Sequence, residues 1–125
     1  MCKINLMSLG GLNENGKNMY VLDIDGEIIV FDAGLKFAPD KMYGIDYIIP
    51  DFDYLVKNRK RIKGVFITHA HYENMGALTD LVREIPEVNV YCTNFTSKIL
   101  LEEAKENEVI IKNLHVIKPY KKINM

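Results

Sequence analysis

Residues 64–77, GVFITHAHYENMGA, decide the fold of this chain. The run VFI at 65–67 predicts a short buried strand, and the apolar positions from residue 75 onward recur at helical spacing. His69 and His71 lie between these two elements. Two histidines at i and i+2 can turn their rings toward one point, and neutral imidazole is a common zinc ligand. Alone, such a pair is more typical of a polar turn with two surface histidines, so its meaning depends on its surroundings.

Upstream of this segment the sequence predicts strands, a tight hairpin and a long loop. Strands are expected at residues 4–9, 18–24 and 27–31. Asp25-Gly26 is a strong two-residue hairpin signal between the last two. The third strand is continuously apolar, so we expect both of its faces to be buried. Residues 35–50 predict a long loop with a short strand at 47–49, and a helix from Asp51 to about Arg61 follows.

Downstream the pattern alternates between helix and strand. We expect a helix over about 75–84, ended by Pro86, and a strand at 88–92. Thr93 or Asn94 can cap a helix that reaches about Glu106. Residues 109–111 and 115–117 predict a closing strand pair, and His115 is expected to be an ordinary strand residue. The order predicts an α/β or α+β fold with a mixed β-sheet flanked by helices, in which one sheet face would remain bare.

Composition bounds the class of protein. A chain of 125 residues with 48% hydrophobic and 26% charged residues is typical of one soluble globular domain. A net charge of −1 excludes a global basic field directed at nucleic acid. No apolar run approaches the roughly 18 residues of a membrane span, so no membrane contact is expected. Cys2 and Cys92 lack metal-type or redox-type spacing, which favours free thiols and a cytoplasmic location.

Asp32 is the second candidate site residue. It ends the apolar third strand and is followed by Gly34 two residues later. Strand ends in such folds collect site residues, so Asp32 is expected beside the histidines. There it could orient a histidine ligand by a hydrogen bond.

Several stretches together resemble the ribonuclease J family of metallo-β-lactamase-fold hydrolases, which carry a β-CASP domain. They are GGLNENGKN at 10–18, FDAGLKF at 31–37, GIDYIIPDF at 44–52, KGVFITH at 63–69 and VYCT at 90–93. The resemblance covers nearly the whole chain. It implies that residues 1–125 are the N-terminal part of an αββα sandwich, with the β-CASP and C-terminal regions beyond residue 125. It also implies RNA phosphodiester hydrolysis with two zinc or manganese ions, and RNA, a paralogous ribonuclease subunit and oligomer formation as partnerships of the full-length protein.

The chain departs from the family motif His-x-His-x-Asp-His at its last two positions. His69 and His71 match the first two histidines, which hold one metal in the family, and Asp32 matches the family's early aspartate. Glu73 stands in place of the aspartate and Asn74 in place of the last histidine, and these two positions serve the second metal. Glu73 is one methylene longer, and an amide oxygen such as that of Asn74 is a poor zinc ligand. We therefore expect Glu73 and Asn74 to be weak ligands, Glu73 to be a doubtful catalytic group, and one ion or none to bind.

Three functions stay open at this point. The chain belongs to an RNA-processing metallohydrolase, to a non-catalytic RNA-binding or assembly subunit beside an active paralogue, or to another metallo-β-lactamase-fold hydrolase. The family-like loops argue against the third, and the changed motif favours the second for this chain, which we expect to be inactive alone. Asn13, Glu14 and Lys17 lie in the glycine loop, which by resemblance lies near the metal centre, although a structural turn is almost as plausible. The basic run at 57–63 is more typical of a solvated face than of an RNA contact.

Overall fold

A computed structural model describes residues 1–125 and contains one six-stranded sheet, a two-stranded ribbon and four α-helices. The strands are β1 Ile4–Gly10, β2 Met19–Ile24, β3 Glu27–Phe31, β4 Lys36–Phe37, β5 Tyr47–Ile48, β6 Ile62–Phe66, β7 Asn89–Cys92 and β8 Asn113–Val116. The helices are α1 Asp53–Lys57, α2 Tyr72–Met75, α3 Leu78–Glu84 and α4 Asn94–Glu106, with a 3-10 turn at Arg59–Arg61. None of the helices is both long and apolar enough to span a membrane.

The sheet is mixed, and its strand order is β1-β2-β3-β6-β7-β8. The first three strands form an antiparallel meander, and β3, β6, β7 and β8 run parallel. Asp25 and Gly26 connect β2 to β3 with φ values of +51° and +92°. A two-residue hairpin turn of type I′ requires positive φ at both central positions, which explains why Asp-Gly stands there. The predicted mixed sheet and the predicted hairpin are both confirmed.

The hydrophobic core lies on one face of the sheet. Val21, Val30, Val65 and Val90 are fully buried, and the first two alternate with less buried neighbours along β2 and β3. They belong to one cluster with buried residues of all four helices, namely Leu55, Met75, Leu78, Leu81, Val82 and Leu100. The apolar side chains on one face of the strands and those at helical spacing in α3 and α4 therefore pack into one layer.

The opposite face of the sheet carries no helix layer. Four rings cross it in register, Phe31, Phe66, Tyr91 and His115, with neighbouring centroids 4.8–5.9 Å apart. Toward the β1 edge the same face presents Ile4 and Leu6, which are 60% and 72% exposed. We call this side the open face. Ile29 and Phe31 on it are only half buried, so the expectation that both faces of the third strand are buried is wrong.

Four other element predictions need correction. The helix expected from Asp51 to Arg61 breaks at Asn58, where α1 gives way to the 3-10 turn. The helix expected over 75–84 is split into α2 and α3 at Gly76-Ala77. No strand forms at 109–111, and β8 instead pairs parallel with β7. The long loop contains a strand that the sequence did not indicate, because β4 is only two residues long and pairs with β5.

Candidate metal centre

The candidate site lies where β3 and β6 end side by side. These parallel strands pair Phe31 with Phe66, so the residues that follow each strand emerge at the same edge of the sheet. Asp32 comes directly after β3, and its backbone N–H donates to the Phe66 carbonyl at 2.8 Å. Thr68 and His69 follow β6. The expected proximity of Asp32 and the histidine loop is therefore found.

The Asp32 carboxylate is the centre of a hydrogen-bond cluster. The residue is only 6% exposed and has a φ of +67°, a region that aspartate tolerates better than most residues. Its Oδ1 accepts the Thr68 backbone N–H at 2.8 Å, and the Thr68 hydroxyl lies 3.0 Å from both carboxylate oxygens. Asn74 Nδ2 donates to Oδ2 at 2.8 Å. These hydrogen bonds hold Thr68, at the start of the loop, and Asn74, at the last motif position, against the buried Asp32 carboxylate.

Asp32 reaches a histidine only through Thr68, and not by the direct hydrogen bond expected from the sequence. Thr68 Oγ1 lies 2.9 Å from His69 Nδ1. A hydroxyl has one proton, and a carboxylate can only accept, so the Thr68 proton belongs to Asp32. We therefore assign the Nδ1–H tautomer to His69, which donates to Thr68 Oγ1. This tautomer leaves the lone pair of Nε2 free, as a metal ligand requires.

The two histidine rings are neighbours on the surface of the loop. Their centroids are 4.6 Å apart with an interplanar angle of 80°, and both side chains are exposed. Two imidazoles that bind one ion through nitrogens at roughly 2.0–2.1 Å and at a tetrahedral angle have centroids about 5 Å apart. The spacing of His69 and His71 is compatible with one shared ion. Neither histidine lines any of the three surface pockets of these residues.

The remaining motif positions do not complete a metal site within this chain. Glu73 is exposed, and no group of three histidine, cysteine, aspartate or glutamate side chains is arranged to hold an ion. Asn74 donates its amide nitrogen to Asp32, and the neutral amide oxygen that remains is a poor zinc ligand. A catalytic zinc normally takes three protein ligands. The described residues offer two imidazoles and therefore do not fit a complete zinc or manganese centre.

The backbone of the motif is fixed by close contact with the chain after β3. Asn18 N–H donates to the Glu73 carbonyl at 3.0 Å, Ala33 N–H to the Asn74 carbonyl at 2.8 Å, and Leu35 N–H to the Tyr72 carbonyl at 2.9 Å. Gly34 lies at the centre of these bonds. A Cβ there would stand 1.6 Å from the Glu73 carbonyl oxygen, so only glycine allows this approach.

Tyr72 ties the motif to the helix layer. Its hydroxyl donates to Glu103 Oε1 of α4 at 2.9 Å, and its ring meets the edge of Phe37 at 5.7 Å. The hydrogen bond to the Glu103 carboxylate raises the pKa of Tyr72 above its usual value. Tyr72 is therefore anchored to α4 as a neutral phenol.

The glycine loop touches the motif through its backbone. Lys17 N–H donates to the Leu35 carbonyl at 3.0 Å, beside the Asn18–Glu73 bond. Glu14 lies 3.7 Å from the Lys17 ammonium and 3.8 Å from that of Lys36. Asn13 is exposed, with a φ of +54° typical of a turn. The loop thus lies near the motif, although the structure gives the side chains of Glu14 and Lys17 partners within the loop and in β4.

Two other sequence features have structural partners. In the basic run, Arg59 makes two hydrogen bonds to Glu87 at 2.6 Å, and Arg61 pairs with the largely buried Asp23. Lys57 pairs with Asp53, and Lys63 with Glu27. His115 stacks on Tyr91 and hydrogen-bonds Asn89, as expected of a strand residue.

Sequence reasoning missed Thr68 and the role of Gly34. The position of Thr68, after a strand and directly before the His-x-His pair, was a usable signal. A hydroxyl at this point can bridge a buried carboxylate to the first imidazole. The close approach at Gly34 depends on a neighbouring segment 39 residues away, Glu73, and no local pattern encodes it.

Comparison with known families identifies the superfamily of this chain. The model of the metallo-beta-lactamase superfamily matches residues 12–123, nearly the whole chain. The chain belongs to the metallo-beta-lactamase superfamily. Members of this superfamily generally bind metal ions.

Curated relatives narrow the resemblance within the metallo-beta-lactamase superfamily. The chain is 43% identical over 103 residues to ribonuclease J2 of Bacillus subtilis and 38% identical over 103 residues to ribonuclease J of Mycoplasma pneumoniae. It is 38% identical over 106 residues to ribonuclease J 2 of Staphylococcus saprophyticus. These alignments cover 82–85% of this chain but only 18–19% of each relative. The chain thus spans about a fifth of the length of the relatives it matches.

Proposed function

We propose that this chain is the segment of a ribonuclease J-like, RNA-processing hydrolase that carries the motif loop of the metal site. The observation that supports this most is the His69–His71 pair at the carboxyl end of β6, in a superfamily member similar to ribonucleases J. In such a protein the substrate is RNA, the reaction is hydrolysis of a phosphodiester bond, and the site of action is the cytoplasm. Zinc or manganese is the proposed metal, with one ion or none bound to the residues of this chain.

We also propose that the chain alone does not hydrolyse RNA. The two imidazoles fall short of the three protein ligands of a catalytic zinc, and Asn74 donates its amide to Asp32. The exposed histidine pair also lines none of the surface pockets of this chain in which an RNA backbone could lie. Two-metal phosphoryl chemistry needs both ions to stabilise the attacking and leaving oxygens, and this chain lacks the donors for that arrangement.

The test uses 5′-monophosphorylated RNA and the purified 125-residue chain with zinc or manganese added. We expect no more cleavage than with a His69→Ala, His71→Ala double variant, which controls for contaminating nuclease. Cleavage by the wild-type chain that the double variant lacks would refute the proposed inactivity. It would leave the assignment to an RNA hydrolase intact and strengthen it.

A second candidate function is a non-catalytic subunit that assembles with an active paralogous ribonuclease. The Asn74–Asp32 hydrogen bond favours it, because the fourth motif position serves the loop rather than an ion. Metal analysis of the full-length protein separates the candidates. An intact two-metal enzyme should hold about two ions per chain, and the non-catalytic subunit one or none. In that full-length context, Glu73→Asp together with Asn74→His should raise metal affinity.

A further inference from the structure

Two hydrogen bonds join Asn74 to the chain that follows β3. Its Nδ2 donates to Asp32 Oδ2 at 2.8 Å, and its own backbone carbonyl accepts from Ala33 at 2.8 Å. In asparagine, Nδ2 is bonded to Cγ, as Nδ1 is in histidine. A histidine at this position could therefore make the same hydrogen bond to Asp32 through Nδ1–H. It would in addition offer Nε2, which asparagine does not possess.

We infer that Asn74 is a positioning residue. Its hydrogen bond to Asp32 holds the motif loop in place, as the Nδ1–H of a histidine ligand would, but asparagine has no counterpart of the Nε2 nitrogen that would bind metal. The loop that carries His69 and His71 therefore has its shape without any ion. This inference concerns the loop and does not depend on whether the chain acts on RNA.

The other contacts of Asp32 support a metal-independent loop. Thr68 supplies its backbone N–H and its hydroxyl to the carboxylate, so protein donors face both carboxylate oxygens. Asn74 N–H also donates to the His71 carbonyl at 2.9 Å, which starts the turn into α2. The Asp32–Thr68–Asn74 cluster closes the loop between its first and last motif positions. A buried carboxylate that lost one of these donors would be left partly unsatisfied, which is costly.

The experiment measures hydrogen exchange of the Thr68 backbone amide by NMR, because this N–H donates directly to Asp32. In the wild-type chain we expect equal protection with a chelator and with added zinc. Asn74→Ala should lower the protection of Thr68 by about tenfold or more, equivalent to the loss of one hydrogen bond to a charged group. The β2–β3 amides should keep their protection. Asn74→His should restore the protection of Thr68 in the chelator, because it retains an N–H for Asp32.

The matched control is Asn113→Ala, which removes one asparagine hydrogen bond, to the Glu87 carbonyl, at the far edge of the sheet. It should leave Thr68 exchange unchanged. The inference is overturned if wild-type Thr68 is protected only with zinc, if Asn74→Ala has no effect on Thr68, or if Asn74→His exchanges as fast as Asn74→Ala. Should Asn74→Ala fail to fold, the comparison of chelator and zinc in the wild-type chain still decides between a loop held by protein and one held by metal.

Discussion

Replacing Gly34 by alanine should destabilise the chain through one close backbone contact. The added Cβ would lie 1.6 Å from the Glu73 carbonyl oxygen and 2.8 Å from the Asn18 backbone nitrogen. Distances under 3.0 Å to a Cβ are essentially never found, so the two backbone segments must separate by about 1.4 Å at Glu73. No backbone strain from φ contributes, because Gly34 is not among the glycines with positive φ.

The expected magnitude follows from the hydrogen bonds that such a displacement breaks. Asn18 to Glu73, Ala33 to Asn74 and Leu35 to Tyr72 are backbone bonds of 2.8–3.0 Å onto the displaced segment, and a lengthening of about 1.4 Å abolishes each of them. At about 1 kcal/mol per bond the free energy of unfolding should fall by about 3 kcal/mol. For a domain of this size the melting temperature should then fall by roughly 10 °C.

Urea and thermal unfolding, followed by circular dichroism, measure this change. The control is Gly26→Ala, where a Cβ meets nothing within 4 Å but φ is +92°. It isolates the cost of a left-handed backbone, about 1 kcal/mol. A Gly34→Ala variant within about 1 kcal/mol of the wild type, or no less stable than Gly26→Ala, would refute the reasoning from close approach.

Three further outcomes can be measured on the same chain. A thiol reagent at about pH 8 should modify Cys2 in the folded protein and Cys92 only after unfolding, because burial raises the pKa of the Cys92 thiol to about 11. Rapid reaction of a folded Cys2→Ser variant with the reagent would contradict this. The hydrogen bonds from Arg59 lower the pKa of Glu87 from 4.5 to about 2, so the stabilisation from this pair is complete above pH 4.5 and is lost as the pH falls toward 2. The urea midpoint of Glu87→Gln should accordingly depend less on pH in this range than that of the wild type. An equal pH dependence of the two midpoints would contradict this. The open face should make the chain self-associate, and Leu6→Lys should reduce the association measured by light scattering; a wild-type chain that stays monomeric at high concentration would exclude this.

Elements with strong local signals could be predicted from the sequence. The hairpin at Asp25-Gly26 and strand β3 have the predicted bounds, since turn chemistry and an unbroken apolar run leave few alternatives. Elements set by tertiary pairing could not be predicted in this way. β8 takes its place by pairing parallel with β7, and the apolar residues at 109–111 form no strand despite their β propensity. Likewise α2 and α3 separate at Gly76, where a Cβ would lie 2.4 Å from the Leu35 side chain.

For the site, the sequence predicted which residues meet but not how they are bonded. Asp32 and the histidine loop come together because both follow neighbouring parallel strands, a relation that strand order makes predictable. The direct Asp32–histidine bond was wrong, because Thr68 stands between them and Asn74 takes the second carboxylate oxygen. Side-chain hydrogen bonds across 36 and 42 residues depend on rotamers that no sequence pattern specifies. The metal-ligand roles of His69, His71, Glu73 and Asn74 stay predictions.

The strand order has a consequence for how this sheet assembles. Spatial order along the sheet is the same as order along the chain, so no later strand has to insert between two earlier ones. During synthesis from the N-terminus, the β1-β2-β3 meander can form first, and β6, β7 and β8 can then each add to an edge that already exists. Each addition covers one unpaired edge and creates the next, and β8 is the last edge in this chain. Within this sheet, each strand after β1 can therefore form against the strand that precedes it in the order, with no partner needed from later in the chain.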